Sequence, residues 1–233
     1  MGKHSFSTLR RAVGTIAVVG MLAVSAGPAA ADTTPPGDAT YSQNGSAAEM
    51  FASSCTSHGD DTTTCLDQQI YVFVGKMSDS LTGVTHASQL CAALSIYTVS
   101  DLTGEFIGTP TFERGCRVDL PAGSARIDSK LLWATLAPTT VSVEDLACEK
   151  FGCAPGSTRD IVVSADWTGF GPLQSSKSRN AWDDSVCRTH EAFKGSNRQA
   201  DVTGSLDGHD LASDRFAYLS SGKYTFRSSC TEV

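Results

Sequence analysis

The chain has 233 residues, with 18 Lys plus Arg against 25 Asp plus Glu and a formal net charge of −7. This acidic balance opposes long-range attraction to nucleic acid and to anionic lipid, so we expect no nucleic-acid partner. Charged residues make up only 18% of the sequence, whereas Ser, Thr and Gly are abundant. Such a composition is typical of turns and exposed strand faces.

The first 31 residues have the pattern of an export signal. Arg10 and Arg11 precede an apolar run over 12–26, which ends at Gly27-Pro28 before three alanines. A positive start, a short apolar middle and a small-residue exit are typical of a cleavable signal peptide, here of bacterial type. We expect cleavage after Ala31 and a secreted, extracellular product with a net charge near −10. Because no later apolar run has membrane-spanning length, we do not expect that product to be membrane-embedded.

The remainder is predicted to form a leader and one domain. Residues 32–40 contain two prolines and read as a flexible leader. Residues 41–233 are expected to form a disulfide-rich β domain, in which two related halves with a boundary near 145–158 are an alternative. The segment 47–52 is predicted as one short helix, and no other stretch shows helical spacing of apolar residues.

Runs of β-branched and aromatic residues predict strands along the rest of the chain. They cover 69–74, 94–99, 127–136, 140–143, 161–167, 198–202, 215–219 and 224–227. Gly75 is expected to end the first strand, and Ser220-Ser221-Gly222 to form the turn between the last two. Trp133 and Trp167 fall on apolar strand faces and are expected in the core. The fold class is therefore all-β, an antiparallel sandwich or barrel stapled by disulfides, with little helix.

The tetrad Gly-Ser-x-Arg occurs at 123–126, 156–159 and 195–198, each time before a predicted strand. Glycine and serine suit a turn, and the arginine then opens the strand on its wet face. Arg126, Arg159 and Arg198 are therefore candidate binding residues, which would form an anion-binding rim if the three strands begin on one side. Independent arginines facing solvent are the alternative, and the repeat itself reflects either duplication or shared turn chemistry.

Eight cysteines follow the export signal: Cys55, Cys65, Cys91, Cys116, Cys148, Cys153, Cys187 and Cys230. An even number in an exported chain predicts disulfides. Their spacing favours Cys55–Cys65 and Cys148–Cys153 as local bridges. Bridges Cys91–Cys116 and Cys187–Cys230 would then join neighbouring strands. No Cys-x-x-Cys pair is present, so we predict neither a metal site nor a cofactor.

The sequence contains no nucleophile elbow, zinc-protease motif, phosphate loop or dinucleotide fingerprint. Trp182 is the best candidate for an exposed aromatic contact. It stands beside Asp183 and Asp184, with His190 nearby, but neighbouring residues on a strand point to opposite faces.

We therefore expect a non-catalytic extracellular module that binds a polysaccharide, a protein or an envelope component. One alternative is a secreted hydrolase around Asp183, Asp184 and His190. Another is a protease inhibitor that presents the loop between Cys148 and Cys153.

Overall fold

The computed structural model describes residues 37–80, 82–149, 152–183, 187–211 and 215–230. These residues form strands and no helix, which confirms the predicted all-β class. The strands are β1 (Gly37–Ser57), β2 (Thr62–Asp79), β3 (Thr85–Ser100), β4 (Thr111–Val118), β5 (Ala125–Ile127), β6 (Trp133–Glu149), β7 (Gly152–Asp183), β8 (Cys187–Leu206), β9 (His209–Asp210) and β10 (Arg215–Cys230).

The predicted export signal lies outside the described residues, as does most of the predicted leader. Strand β1 already begins at Gly37, inside the stretch 32–40 and before the expected start at Tyr41. All the described residues belong to one unit, which spans Pro35–Val233.

The strands form one antiparallel sheet that closes on itself. Eight of them follow in the order β1-β2-β3-β4-β6-β7-β8-β10, and β10 returns to pair with β1 along 16 register positions. The short strands β5 and β9 attach to β6 and β8. The sequence predicts either a sandwich or a barrel, and the closed ring of strands is a barrel.

Side chains fill the interior of the ring, as expected for eight strands. Alternate residues point inward, so buried positions recur with a period of two along β7, where Ile161, Val163 and Ala165 lead to Trp167. Trp167 is 1% exposed, which confirms its predicted place in the core. Its indole Nε1 donates a hydrogen bond to the carbonyl oxygen of Glu49 at 3.2 Å, so the buried N–H has a partner.

The predicted core position of Trp133 is wrong, because this side chain is 44% exposed. The expected strand 127–136 is interrupted between the end of β5 at Ile127 and the start of β6 at Trp133. Leu131 adopts a φ of 57° in the connecting loop and is buried in place of Trp133. A carboxylate oxygen of Asp128 accepts a hydrogen bond from the N–H of Leu132 at 3.1 Å, which holds the loop.

Four glycines form a row across neighbouring strands: Gly75, Gly45, Gly222 and Gly195 are direct register partners in β2, β1, β10 and β8. The prediction that Gly75 ends a strand is wrong, and so is the turn at 220–222, because the strands run through both. A Cβ at Gly45 would lie 2.3 Å from the carbonyl oxygen of Val74, and one at Gly222 would lie 2.5 Å from that of Lys194. Glycine is therefore required because the backbones approach each other too closely for a side chain.

The predicted helix at 47–52 is also wrong. These residues belong to β1 and pair on one edge with β10 and on the other with β2. Ala48, Met50 and Ala52 point into the core, while Glu49 and Phe51 face outward. Two paired edges override the weak helical preference of an alanine-rich segment.

Two predicted disulfides are confirmed, Cys55–Cys65 and Cys91–Cys116. Each joins directly opposed residues of neighbouring strands. Cys187 is also disulfide-bonded, and its register partner is Cys230. Cys148 and Cys153 are likewise opposed in register, but their side chains lie outside the described residues.

Candidate functional site

An aromatic surface surrounds Glu49 on the outer face of the sheet. Tyr71 of β2 and Tyr218 of β10 are the register partners of Glu49, one on each side. Phe51 and Phe216 oppose each other in the next outward-facing row and are 40% and 57% exposed. The rings of Phe216 and Tyr218 lie 5.5 Å apart. We call these five residues the aromatic face.

The carboxyl group of Glu49 is half-buried at the centre of this face. Loss of hydration raises its pKa from 4.5 to about 7. Burial raises the pKa of Tyr71, and the charge of Glu49 raises it further. Burial also raises the pKa of Tyr218, and the charge of Glu49 raises it further. Both phenols therefore stay protonated beside the carboxyl group.

A hydrogen-bonded cluster continues from Tyr71 across the glycine row. The hydroxyl of Tyr71 donates to Oε1 of Gln43 at 3.2 Å. Nε2 of Gln43 donates to the hydroxyl of Tyr41 at 2.6 Å and approaches Sδ of Met77 at 3.4 Å. Gln43 is 5% exposed, so its amide is held in place by satisfied contacts. Burial raises the pKa of Tyr41 to about 12.

Tyr224 extends this cluster toward β8. Its ring meets that of Tyr41 edge-on, with centroids 6.3 Å apart. Its hydroxyl donates a hydrogen bond to a carboxylate oxygen of Glu191 at 2.7 Å, and both residues are buried. Burial raises the pKa of Tyr224, and the neighbouring Glu191 raises it further. The whole region is therefore a rigid aromatic surface that holds phenol, amide and carboxyl groups in fixed positions.

Trp182 is 45% exposed on β7, in agreement with its predicted exposure. The neighbouring Asp183 forms an exposed ion pair with Arg188, in which the two atoms lie 3.4 Å apart. His190 is exposed two register positions from Asp183, on the same face of the sheet. Asp184 lies outside the described residues, so the predicted pair of carboxylates stays a prediction.

The three candidate arginines do not form one rim. Arg126 pairs in register with Thr135 of β6, whereas Arg159 pairs with Val143, eight residues further along. Eight residues of strand span about 26 Å. Arg198 lies on β8 and donates a hydrogen bond to the carbonyl oxygen of Gly171 at 3.1 Å. The tetrads also differ in structure, since Gly123 lies in a turn while Gly156 and Gly195 lie within strands.

Arg159, whose side chain is 45% exposed, belongs to an ion network with Glu113 and Asp207. It donates two hydrogen bonds of 2.6 Å to the carboxylate of Glu113 and forms an ion pair of 2.7 Å with Asp207. The hydrogen bonds to Glu113 contribute most to raising the pKa of Arg159, and the interaction with Asp207 raises it further. The side chain of Glu113 is only 8% exposed, so the arginine compensates a buried charge.

The aromatic face is not predicted from the sequence, because the segment 47–52 is predicted there as a helix. Strand alternation in that segment would have placed Glu49 and Phe51 on one outward face. Tyr71 was recognised as part of a strand, but its neighbours follow only from the register.

Among the residues that the structure describes, no helix is long and apolar enough to cross a membrane. No group of three His, Cys, Asp or Glu side chains among the same residues is arranged to hold a metal ion.

Fold and surface together define a closed, antiparallel all-β protein with cross-strand disulfides and an exposed aromatic face. No family model matches the chain, and no curated protein matches it. Among solved structures, a Nitrosomonas europaea protein provisionally assigned as AttH is similar over 89% of this chain and 58% of its own, with a TM-score of 0.21 and 10% identity. The chain thus spans a little over half the length of that protein.

Proposed function

We propose that this protein is a secreted, non-catalytic module that binds an extracellular carbohydrate on the aromatic face. The observation that carries the proposal is the exposed pair Phe51 and Phe216, which lies directly beside Glu49 and its two tyrosines. Exposed aromatic surface of this kind is costly to hydrate and marks interaction sites. The disulfides suit a location outside the reducing cytosol.

The chemistry of the face suits a sugar. A pyranose ring has an apolar side, which stacks on an aromatic ring, and a rim of hydroxyl groups, which donate and accept hydrogen bonds. Phe51 and Phe216 supply the stacking surface. Glu49 supplies an acceptor and Tyr218 a donor at neighbouring register positions, while Tyr71, whose proton is donated to Gln43, can accept a hydrogen bond. Small-molecule sites usually combine an apolar surface with a few polar groups.

The surroundings of Glu49 favour binding over hydrolysis. Glycoside hydrolases position two carboxyl groups about 5 to 9.5 Å apart on either side of the scissile bond. No carboxylate occupies the register positions next to Glu49. Its outward neighbours along β1 are Ala47 and Phe51. Tyr71 and Tyr218 stand opposite it on the two flanking strands. We therefore propose a ligand that is bound and released unchanged.

A glycan array followed by titration calorimetry tests this proposal with the purified protein. Phe216→Ala is expected to weaken binding of the best glycan by about tenfold or more, because it removes a central aromatic contact. Trp182→Ala is the matched control, since Trp182 is similarly exposed at 45% but lies on another part of the sheet. We expect it to leave the affinity unchanged.

Two results would contradict the proposal. If Trp182→Ala abolished binding while Phe216→Ala did not, the ligand site would lie on β7. If chromatography detected shortened sugar chains after incubation with the wild type, the protein would be a hydrolase.

A further inference from the structure

Immediately beside the glycine row, four exposed lysines line up across the strands on the face opposite to Glu49, where the inward-facing side of the sheet runs out of the core into solvent. Lys177 of β7 opposes Lys194 of β8, which opposes Lys223 of β10. Lys223 opposes Asn44 of β1, and Asn44 opposes Lys76 of β2. We call these four lysines the lysine row. Because neighbouring strands lie about 4.8 Å apart, the row spans about 19 Å.

The row concentrates positive charge in an acidic chain. It holds four of the seven lysines of a protein whose net charge is −7. All four side chains are exposed, and among the described residues none of them forms an ion pair. Like charges on directly opposed residues destabilise a sheet. The arrangement of Lys177, Lys194 and Lys223 therefore works against folding and needs another explanation.

Protection of a sheet edge does not explain it. Lysines often cover exposed strand edges, where they prevent pairing with other chains. Lys194 and Lys223 instead lie on segments of β8 and β10 that are paired on both sides. Carboxylates are more numerous than cations in this chain, yet none occupies a position in the row.

The surrounding face is polar, hydroxylated and basic. A parallel row of serines lies on one side of the lysines, at Ser46, Ser175, Ser196 and Ser221. Arg179 and Arg227 lie on the other side, with His190 opposite Arg227. None of the lysine, serine and arginine positions named here carries a large apolar side chain that could enter a lipid bilayer, and none carries a phenylalanine, tyrosine or tryptophan ring on which a base could stack.

We propose that the lysine row binds a linear acidic polysaccharide, whose carboxylate or sulfate groups pair with successive lysines. Lys177, Lys194 and Lys223 stand on adjacent strands about 4.8 Å apart, so successive charged groups of a linear chain can each meet one ammonium group. Serine hydroxyls beside the ammonium groups supply hydrogen bonds to oxyanions and to sugar hydroxyls. This site lies on the opposite face of the sheet from Glu49, so it is independent of the aromatic face.

The test measures binding of the purified protein to polygalacturonate, with neutral dextran as the uncharged control. Vesicles of phosphatidylglycerol and a single-stranded oligonucleotide serve as competing polyanions. We expect binding to polygalacturonate, loss of binding as salt is raised, and weaker binding to vesicles and oligonucleotide. The double substitution Lys194→Gln and Lys223→Gln is expected to lower the affinity about tenfold.

The control variant Arg126→Gln with Lys130→Gln removes the same charge at two exposed residues far from the row. It is expected to retain the wild-type affinity. Because the row is self-repelling, the lysine variant should also melt no lower than the wild type. Equal loss of affinity in both variants, tighter binding to vesicles or oligonucleotide, or no retention on polygalacturonate would overturn the proposal.

Discussion

The hydroxyl of Tyr71 donates a hydrogen bond to Oε1 of Gln43, although Tyr71 opposes Glu49 in the register, six residues further along β1. Six residues of straight strand span about 20 Å, which is more than these two side chains bridge. Strands β1 and β2 must therefore bend sharply between the two residues. The glycine row lies at that point, and Phe73 covers it with its ring tip 2.9 Å from where a Cβ of Gly45 would stand.

We expect Gly45→Ala to destabilise the protein by about 3 kcal/mol or more, because the new Cβ meets backbone atoms that cannot move independently. Gly108→Ala is the control, since Gly108 has a φ of 75° and no atom lies within 4 Å of an added Cβ. That substitution should cost only about 1 kcal/mol of backbone strain. Urea unfolding measures both, and equal costs would argue against the bend.

Glu49 predicts a specific dependence of stability on pH. Its pKa is about 7 in the folded protein and 4.5 for an ordinary glutamate, so the folded state holds the proton more tightly. The free energy of unfolding should therefore fall as pH rises from about 4.5 to 7, and level off above that range. Glu49→Gln should remove this fall and make the protein more stable at pH 8, by the order of 1 to 3 kcal/mol.

Unfolding of the wild type and the variant at a series of pH values tests this prediction. Glu105→Gln, at an exposed loop residue, controls for the loss of one negative charge. If the Glu105 variant changed the profile as much as the Glu49 variant, net charge rather than burial would be the cause.

Local patterns predicted the strands well but not how they join. The runs 69–74, 161–167 and 198–202 all lie within strands, because β-branched residues and a period of two are properties of the segment itself. Gly75 and Gly222 were read as turns, since glycine most often ends a strand. Their role as a bend depends on Gly45 and Gly195, which are distant in sequence and meet only through the register.

Local sequence likewise predicts a single exposed residue but not the aromatic face or the lysine row. Trp182 was identified from its own neighbours, and its exposure is a local property. The lysine row is assembled from four strands, so no window of sequence contains more than one member. The aromatic face joins β1, β2 and β10 and was hidden for the same reason.

Arg159 should matter for stability rather than for binding. Arg159→Met leaves the buried carboxylate of Glu113 without its two hydrogen bonds, which we expect to cost about 2 to 3 kcal/mol. Arg126→Met, at an exposed arginine, should cost less than about 0.5 kcal/mol. Adding Glu113→Gln to the Arg159 variant should recover part of the loss in urea unfolding. If the double variant were instead as unstable as the sum of the two single variants, the pair would not be coupled.

The disulfides Cys91–Cys116 and Cys55–Cys65 should contribute unequally to the free energy of unfolding. Cys91–Cys116 closes a loop of 25 residues and Cys55–Cys65 a loop of 10. In the chain-entropy account, their loss costs about 3.5 and about 2.7 kcal/mol, because the longer loop restricts the unfolded chain more. We therefore expect Cys91→Ala with Cys116→Ala to lower the free energy of unfolding more than Cys55→Ala with Cys65→Ala. Both variants should stay folded at 25 °C, because the hydrophobic core around Trp167 contains none of these four cysteines. A reversed order in urea unfolding would show that local packing, not loop length, sets the contribution of these bridges.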